Sequence, residues 1–263
     1  FGGASAYCGE LSSKFFPGGL TNGVIGVSFS YELGEQILLR NGINYTVLGG
    51  ADRFSDNQNS KDRNLSFETS LLEFSVLGEY YLFNLYDRRY SPYAFVGLAV
   101  YHYNPYAYDL NVQRVYLKPL STEGQGLAAY PDRKPYSLTQ FAIPFGGGIK
   151  FAIGEKIRVG LELGMRKLFT DYLDDVSKNY IDPNDLFAAK GQQAVDLSYR
   201  GDEVGNPNYP SKLVQRGNEN TKDYYYFAGI HLTFSFGNGG GGDSYSRFRD
   251  KRNRKNGCPS NPH

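Results

Sequence analysis

The sequence has no tryptophan, only two cysteines and only three histidines. It contains no apolar run long enough to cross a membrane as a helix. The cysteines and histidines show no metal-ligand spacing, which argues against a zinc module. His102, His231 and His263 are too scattered to suggest a nucleophile with an oriented base. His231 and Ser235 share one face of a strand pattern, but nothing else organises them. The run FGGGIK lacks the spacing of a phosphate loop and lies in a strand pattern, so it is discounted. Net charge is +1, so nucleic acid is not suggested as a partner. No secretory leader is visible, and the chain opens inside a strand pattern. A mature, processed product is therefore expected.

What is present is aromatic and glycine-rich. The 263 residues include 23 Tyr, 18 Phe and 32 Gly, a composition suited to strands, interfacial girdles and tight turns. The stretch Gln140 to Phe169 reads as a hairpin around GEK. In its second arm Ile157, Val159, Leu161, Leu163 and Met165 alternate with Arg158, Gly160, Glu162, Gly164 and Arg166. Period-two alternation puts one set on each face of a strand. Either the apolar face is the core of a soluble sandwich, or it meets lipid while the charges fill a lumen.

The rest of the chain favours the second arrangement. Further strands are expected at Phe1–Cys8, Val24–Glu32, Gln36–Gly49, Thr69–Phe83, Pro92–Tyr103 and Tyr224–Phe236, making eight. Short links alternate with long polar segments. That is the pattern of an eight-stranded antiparallel outer-membrane β-barrel, with short periplasmic turns, long extracellular loops and both termini periplasmic. A mean hydropathy of −0.47 does not oppose this, because only half of each strand would face lipid. Residues 1–237 are assigned to the barrel, and 238–263 to a Gly-rich linker and a basic tail.

Parity assigns Arg40, Glu73, Glu79, Lys150, Arg158, Glu162 and Arg166 to the lumen. A small barrel has just enough room for its own side chains, so a packed, mutually paired interior is expected rather than a pore. The periplasmic turns offer Glu35, Arg88, Arg89, Glu155 and Lys156 as contacts. The tail offers Arg247, Arg249, Lys251, Arg252, Arg254 and Lys255, which could meet anionic lipid headgroups or a protein partner. Cys8 falls near the extracellular rim and reads as a packed small side chain. Cys258 falls in the tail, a membrane thickness away, and reads either as an intermolecular disulfide with a periplasmic partner or as a free tail thiol.

Several stretches carry a family resemblance: FGGASAYCGEL, RNLSFETSLLEFSVLGEYYLF, SPYAFVGLAVYHYNP, PLSTEGQGL, QRGNENTKDYYYFAGIHLTF and, most specifically, GMRKLFTDYLDDVS. With these the chain resembles the PorG family, small outer-membrane barrels of the type IX secretion system of Bacteroidetes. The resemblance implies a non-enzymatic anchor without cofactor or metal, seated in outer-membrane lipid. Its partners would be a PorK/GldK-like lipoprotein and a PorN/GldN-like ring protein serving protein export and, in some species, gliding. It also implies that Cys258 bonds the ring lipoprotein. The rival expectations are a surface adhesin or receptor acting through the outer loops, a lipid-modifying enzyme, and a soluble lipocalin-like barrel.

Overall fold

The structure is a computed structural model, and it describes residues 1–12, 20–84, 88–153, 156–219 and 222–236. Nine strands follow in order: β1 Gly2–Cys8, β2 Asn22–Glu32, β3 Ile37–Ala51, β4 Ser66–Tyr81, β5 Tyr90–Tyr108, β6 Arg114–Tyr116, β7 Thr139–Ala152, β8 Ile157–Leu168 and β9 Tyr224–Phe234. Every pairing is antiparallel, and β1 meets both β2 and β9 while β4 meets β5. Eight strands therefore close a barrel, and β6 pairs with β5 alone, above the ring. The eight barrel strands lie where alternation placed them to within a few residues at most ends; the short β6 was not expected, and one barrel strand is longer. β5 continues past Tyr103 to Tyr108, because Tyr106 and Ala107 are buried under the long loops rather than ending in solvent.

The hydrophobic pattern of the barrel is inverted relative to a soluble one. Val27, Phe29 and Leu98 point outward and are 79, 67 and 68 % exposed, while Arg40, Glu73 and Glu79 point inward and are buried. An apolar belt of this extent would not persist in water, so the outer face is a lipid face and the lipocalin-like alternative is excluded. Tyr31, Tyr80, Tyr90, Phe151 and Phe234 girdle the short-turn end, and Tyr45, Tyr108 and Phe169 stand exposed toward the other. Aromatic rings at both borders of the apolar band suit the membrane–water interfaces.

The interior fits because bulk and glycine alternate around the ring. Phe95 pairs with Gly146 and Tyr93 with Gly148 across β5 and β7. A Cβ at Gly146 would lie 2.8 Å from Phe95 Cζ, and one at Gly148 would lie 2.8 Å from Tyr93 Cε1. The rings thus lie across bare backbone, the usual way of filling a narrow barrel. Pro144 is tolerated inside β7 because the ladder to β5 is interrupted there, opposite Gly97 and Leu98.

The long segments are not loose. Among the described residues they contain three α-helices, α1 Gln58–Arg63, α2 Pro183–Lys190 and α3 Gln192–Ser198. Leu117, Leu120, Leu173, Val176, Ile181, Leu186, Ala194 and Leu197 bury against barrel residues such as Tyr101, Leu168 and Tyr225. One continuous core therefore runs from the upper lumen into a folded cap.

Candidate functional site

The lumen is a chain of ion pairs. At the short-turn end Arg158 meets Glu32 at 3.3 Å. Deeper, Lys150 lies 3.5 Å from Glu79, and Arg40 bridges Glu79 at 2.9 Å and Glu162 at 2.8 Å. Tyr93 Oη donates to Glu162, and His231 Nε2 lies 3.1 Å from the same carboxylate. Toward the loop end Arg166 pairs with Glu73 at 3.1 Å, and Asn44 and Tyr225 also donate to Glu73. Buried charges need such partners, since each left alone would cost several kcal/mol (roughly 3–5). A cavity of about 20 Å³ beside Arg40 and His231 has room for about one water, so little free space remains around these ion pairs.

The cap is organised around Arg216, which is 3 % exposed. Its Nη1 donates to Glu123 Oε1 at 3.0 Å and to the Asp175 carbonyl at 2.6 Å, and its Nε donates to the Ser198 carbonyl. Glu123 also accepts the backbone N–H groups of Ser177 and Lys178. Burial alone would depress the guanidinium, but Glu123 and Asp175 raise it above its usual range. Arg63 grips Asp52 with two bonds of 2.7 Å and donates to the Arg216 carbonyl. Three separate loops are joined in this way. Asp175 accepts from Thr122 and Tyr136, and burial, with Glu123 adding, pushes its carboxyl up to about 6.

Beneath this lies a second, acidic group at the seam between cap and barrel. Tyr7 Oη is 2.6 Å from Asp174 Oδ2 and 2.9 Å from Asp223 Oδ1. A phenol has one proton, so one of these carboxyls must itself be protonated to bond at both contacts. Glu10 and Asp171 stand beside them. Burial and mutual repulsion push Glu10 up to about 9, Asp174 to about 8 and Asp171 to about 7, and raise Asp223 well above the usual carboxylate range. Glu10 also lines an open cleft of about 600 Å³, walled by Asn57, Asn206, Asn208, Tyr180 and Tyr199.

Of the residues singled out from sequence, Arg40, Glu73, Glu79, Lys150, Arg158, Glu162 and Arg166 meet in the lumen. Glu35, Arg88, Arg89 and Lys156 are exposed at the short-turn end. Glu155, Cys258 and the tail residues Arg247, Arg249, Lys251, Arg252, Arg254 and Lys255 lie outside the described residues. Cys8 is a half-buried free thiol. His102 faces outward and bonds Thr139, and His231 is tied between Arg40 and Glu162, so neither addresses Ser235. Sequence reasoning missed α2 and the cap core. The signal was present: Asp182 caps the helix through the Asn184 N–H, Pro183 opens it and Gly191 closes it.

Two solved outer-membrane barrels are similar in fold. Neisserial surface protein A is 10 % identical with a TM-score of 0.40, over 89 % of this chain and 92 % of that one. Ail, the attachment invasion locus protein of Yersinia pestis, solved with the heparin analogue sucrose octasulfate, is 8 % identical with a TM-score of 0.38, over 89 % of this chain and 95 % of that one. No curated protein sequence matches the chain. The profile of the family described as Domain of unknown function (DUF6089) matches residues 1–186, most of the length, and the chain belongs to that family.

Proposed function

We propose that this outer-membrane barrel is a non-enzymatic anchor for a periplasmic ring of the type IX secretion machinery, with a PorK/GldK-like lipoprotein and a PorN/GldN-like protein as its partners. The observation that carries the reading is the filled lumen. With Arg40 shared between Glu79 and Glu162, and with the described parts of the long loops packed over one end, the described residues fill the barrel with paired side chains. Such a barrel would act through its ends. Its short-turn end presents Glu35, Arg88, Arg89 and Lys156, and the basic tail would steer onto an acidic ring surface before Cys258 forms a disulfide. The resemblance of GMRKLFTDYLDDVS and its neighbouring stretches to the PorG family supplies the identity of the partners.

The test is a pull-down from detergent-solubilised membranes, with and without reductant, comparing the native chain with Cys258→Ser. A periplasmic lipoprotein that co-migrates covalently, and is freed by reduction or substitution, is the expected result. Failure to retain any ring protein, even without reductant, would sink the anchor reading. A second reading, a surface receptor, rests on the Asn- and Tyr-lined cleft of about 600 Å³. Under that reading, deleting 238–263 would leave function intact.

A further inference from the structure

Three carboxylates meet where the cap is seated on the barrel. Asp223 accepts from Tyr7 and from the Leu173 N–H, and Glu10 Oε1 accepts from the Asn218 N–H, which leaves Glu10 Oε2 and both Asp171 oxygens without a partner of normal geometry. Glu10 follows β1, Asp171 follows β8 and Asp223 precedes β9, and their oxygens lie within 4.8 Å of one another. Asp171 is 3 % exposed, yet neither of its oxygens accepts a hydrogen bond of normal geometry. The Ser177 side chain lies beside it and, together with the Lys222 charge, favours its ionised form, while the Lys222 ammonium donates to the Glu219 carbonyl at 2.7 Å. Glu10 Oε2 is likewise buried and unpartnered. Among the described residues none of the three carboxylates forms an ion pair. Lone pairs turned toward lone pairs in a partly dry site repel unless something positive sits between them.

We propose that Glu10, Asp171 and Asp223 bind a divalent cation, calcium, which fastens the cap to the rim of the barrel. The donors are all hard oxygens. Calcium accepts about 6–8 of them in flexible geometry, whereas magnesium keeps most of its water and uses one or two carboxylates. Zinc would seek nitrogen or sulfur. The Tyr7 bridge leaves Asp174 outside the ligand set. With the phenol proton on one contact and a carboxyl proton on Asp174 for the other, Asp174 is satisfied, while Asp223 keeps lone pairs for the metal. Glu10 lines the open cleft, so a hydrated ion can reach the site and retain water on that side. The three ligands come from three segments far apart in the sequence. One ion would therefore cross-link the roots of the cap.

The experiment uses the full chain in detergent micelles, stripped with EDTA and then titrated with calcium chloride. Calcium should raise the melting temperature by several degrees and slow proteolysis of the cap, half-saturating on the order of 0.1–1 mM. Terbium should show luminescence sensitised through Tyr7, displaced by calcium. Asp171→Asn should weaken both responses roughly tenfold or more, because ligand charge sets affinity. Barrel folding, read by heat-modifiable migration, should be unchanged. Glu10→Gln, at a more exposed position, should act in the same direction. The proposal is overturned if the native chain does not respond up to the order of 10 mM calcium, above the range of weak extracellular modules. It is also overturned if both variants respond like the native chain, or if Asp171→Asn raises stability and the native chain shows no calcium effect. The last outcome would mean that the carboxyls simply share protons.

Discussion

Arg216 is enclosed by Glu123, Asp175 and the Ser198 carbonyl, and each of these is buried with it. Replacing it by Met keeps the bulk and strands the Glu123 carboxylate. Breaking one side of a buried pair costs about 3–5 kcal/mol. Arg216→Met should therefore open the cap to protease while the strands stay protected, which limited proteolysis in micelles would show. Asp175 gives a pH signature. Its carboxyl is pushed up to about 6 from an ordinary 3.8 by burial and Glu123, against the pull of Arg216, Thr122 and Tyr136. A raised folded-state value means that the folded form holds the proton after the unfolded form has lost it. The stabilisation is complete below the unfolded value and is lost as pH rises through the folded one, to a total of up to about 3 kcal/mol. Asp175→Asn should remove that part of the decline between about pH 4 and 6. Asn also suits the left-handed backbone at this position, where φ is +64°. Hydrogen exchange of the cap at both pH values would decide, and an undiminished decline in the variant would refute the assignment.

Among the elements, the strands were legible and the cap was not. Ile25, Val27, Phe29 and Tyr31 alternate so plainly that parity alone assigns them to the outer face, where they are 67, 79, 67 and 60 % exposed. The same parity put seven charges on the inner face, because a period of two leaves only two choices. Loops carry no such period. SYRGDEVGNPNYPSKLVQRGNENTKD reads as polar turn sequence, yet it delivers Arg216 to Glu123 and Asp223 to Tyr7. These contacts link residues far apart in the chain, and no local pattern encodes them. The outward parity also yields a test. Val76 lies halfway down β4, between the exposed Leu72 and Tyr80. An arginine there should destabilise the barrel by about 2–4 kcal/mol, as charged groups do at a bilayer midplane. Refolding titrations into lipid vesicles would measure it, and a neutral outcome would mean that this face does not meet lipid.

For the whole molecule, the decisive property is that the interior and the cap form one continuous packed body. The ion pairs run from Arg158 and Glu32 at the short-turn end to Arg166 and Glu73, where Tyr225 Oη donates to Glu73. Tyr225 then packs in the same core as Leu173 and Ile181 of the cap. A conducting barrel would need a continuous water path past these groups. The cavity beside Arg40 holds only about 20 Å³, and both charge signs are paired along its walls. The protein reconstituted in planar bilayers should therefore give no stable conductance at moderate voltage. Truncating the lumen tests the cause rather than the absence. The double variant Arg40→Ala, Glu162→Ala removes the pair nearest the cavity and leaves Glu79 its second partner, Lys150, at 3.5 Å. It should keep the barrel folded and introduce small, flickering currents. Steady channels from the native chain would contradict the sealed lumen and, with it, the view of the barrel as an anchor.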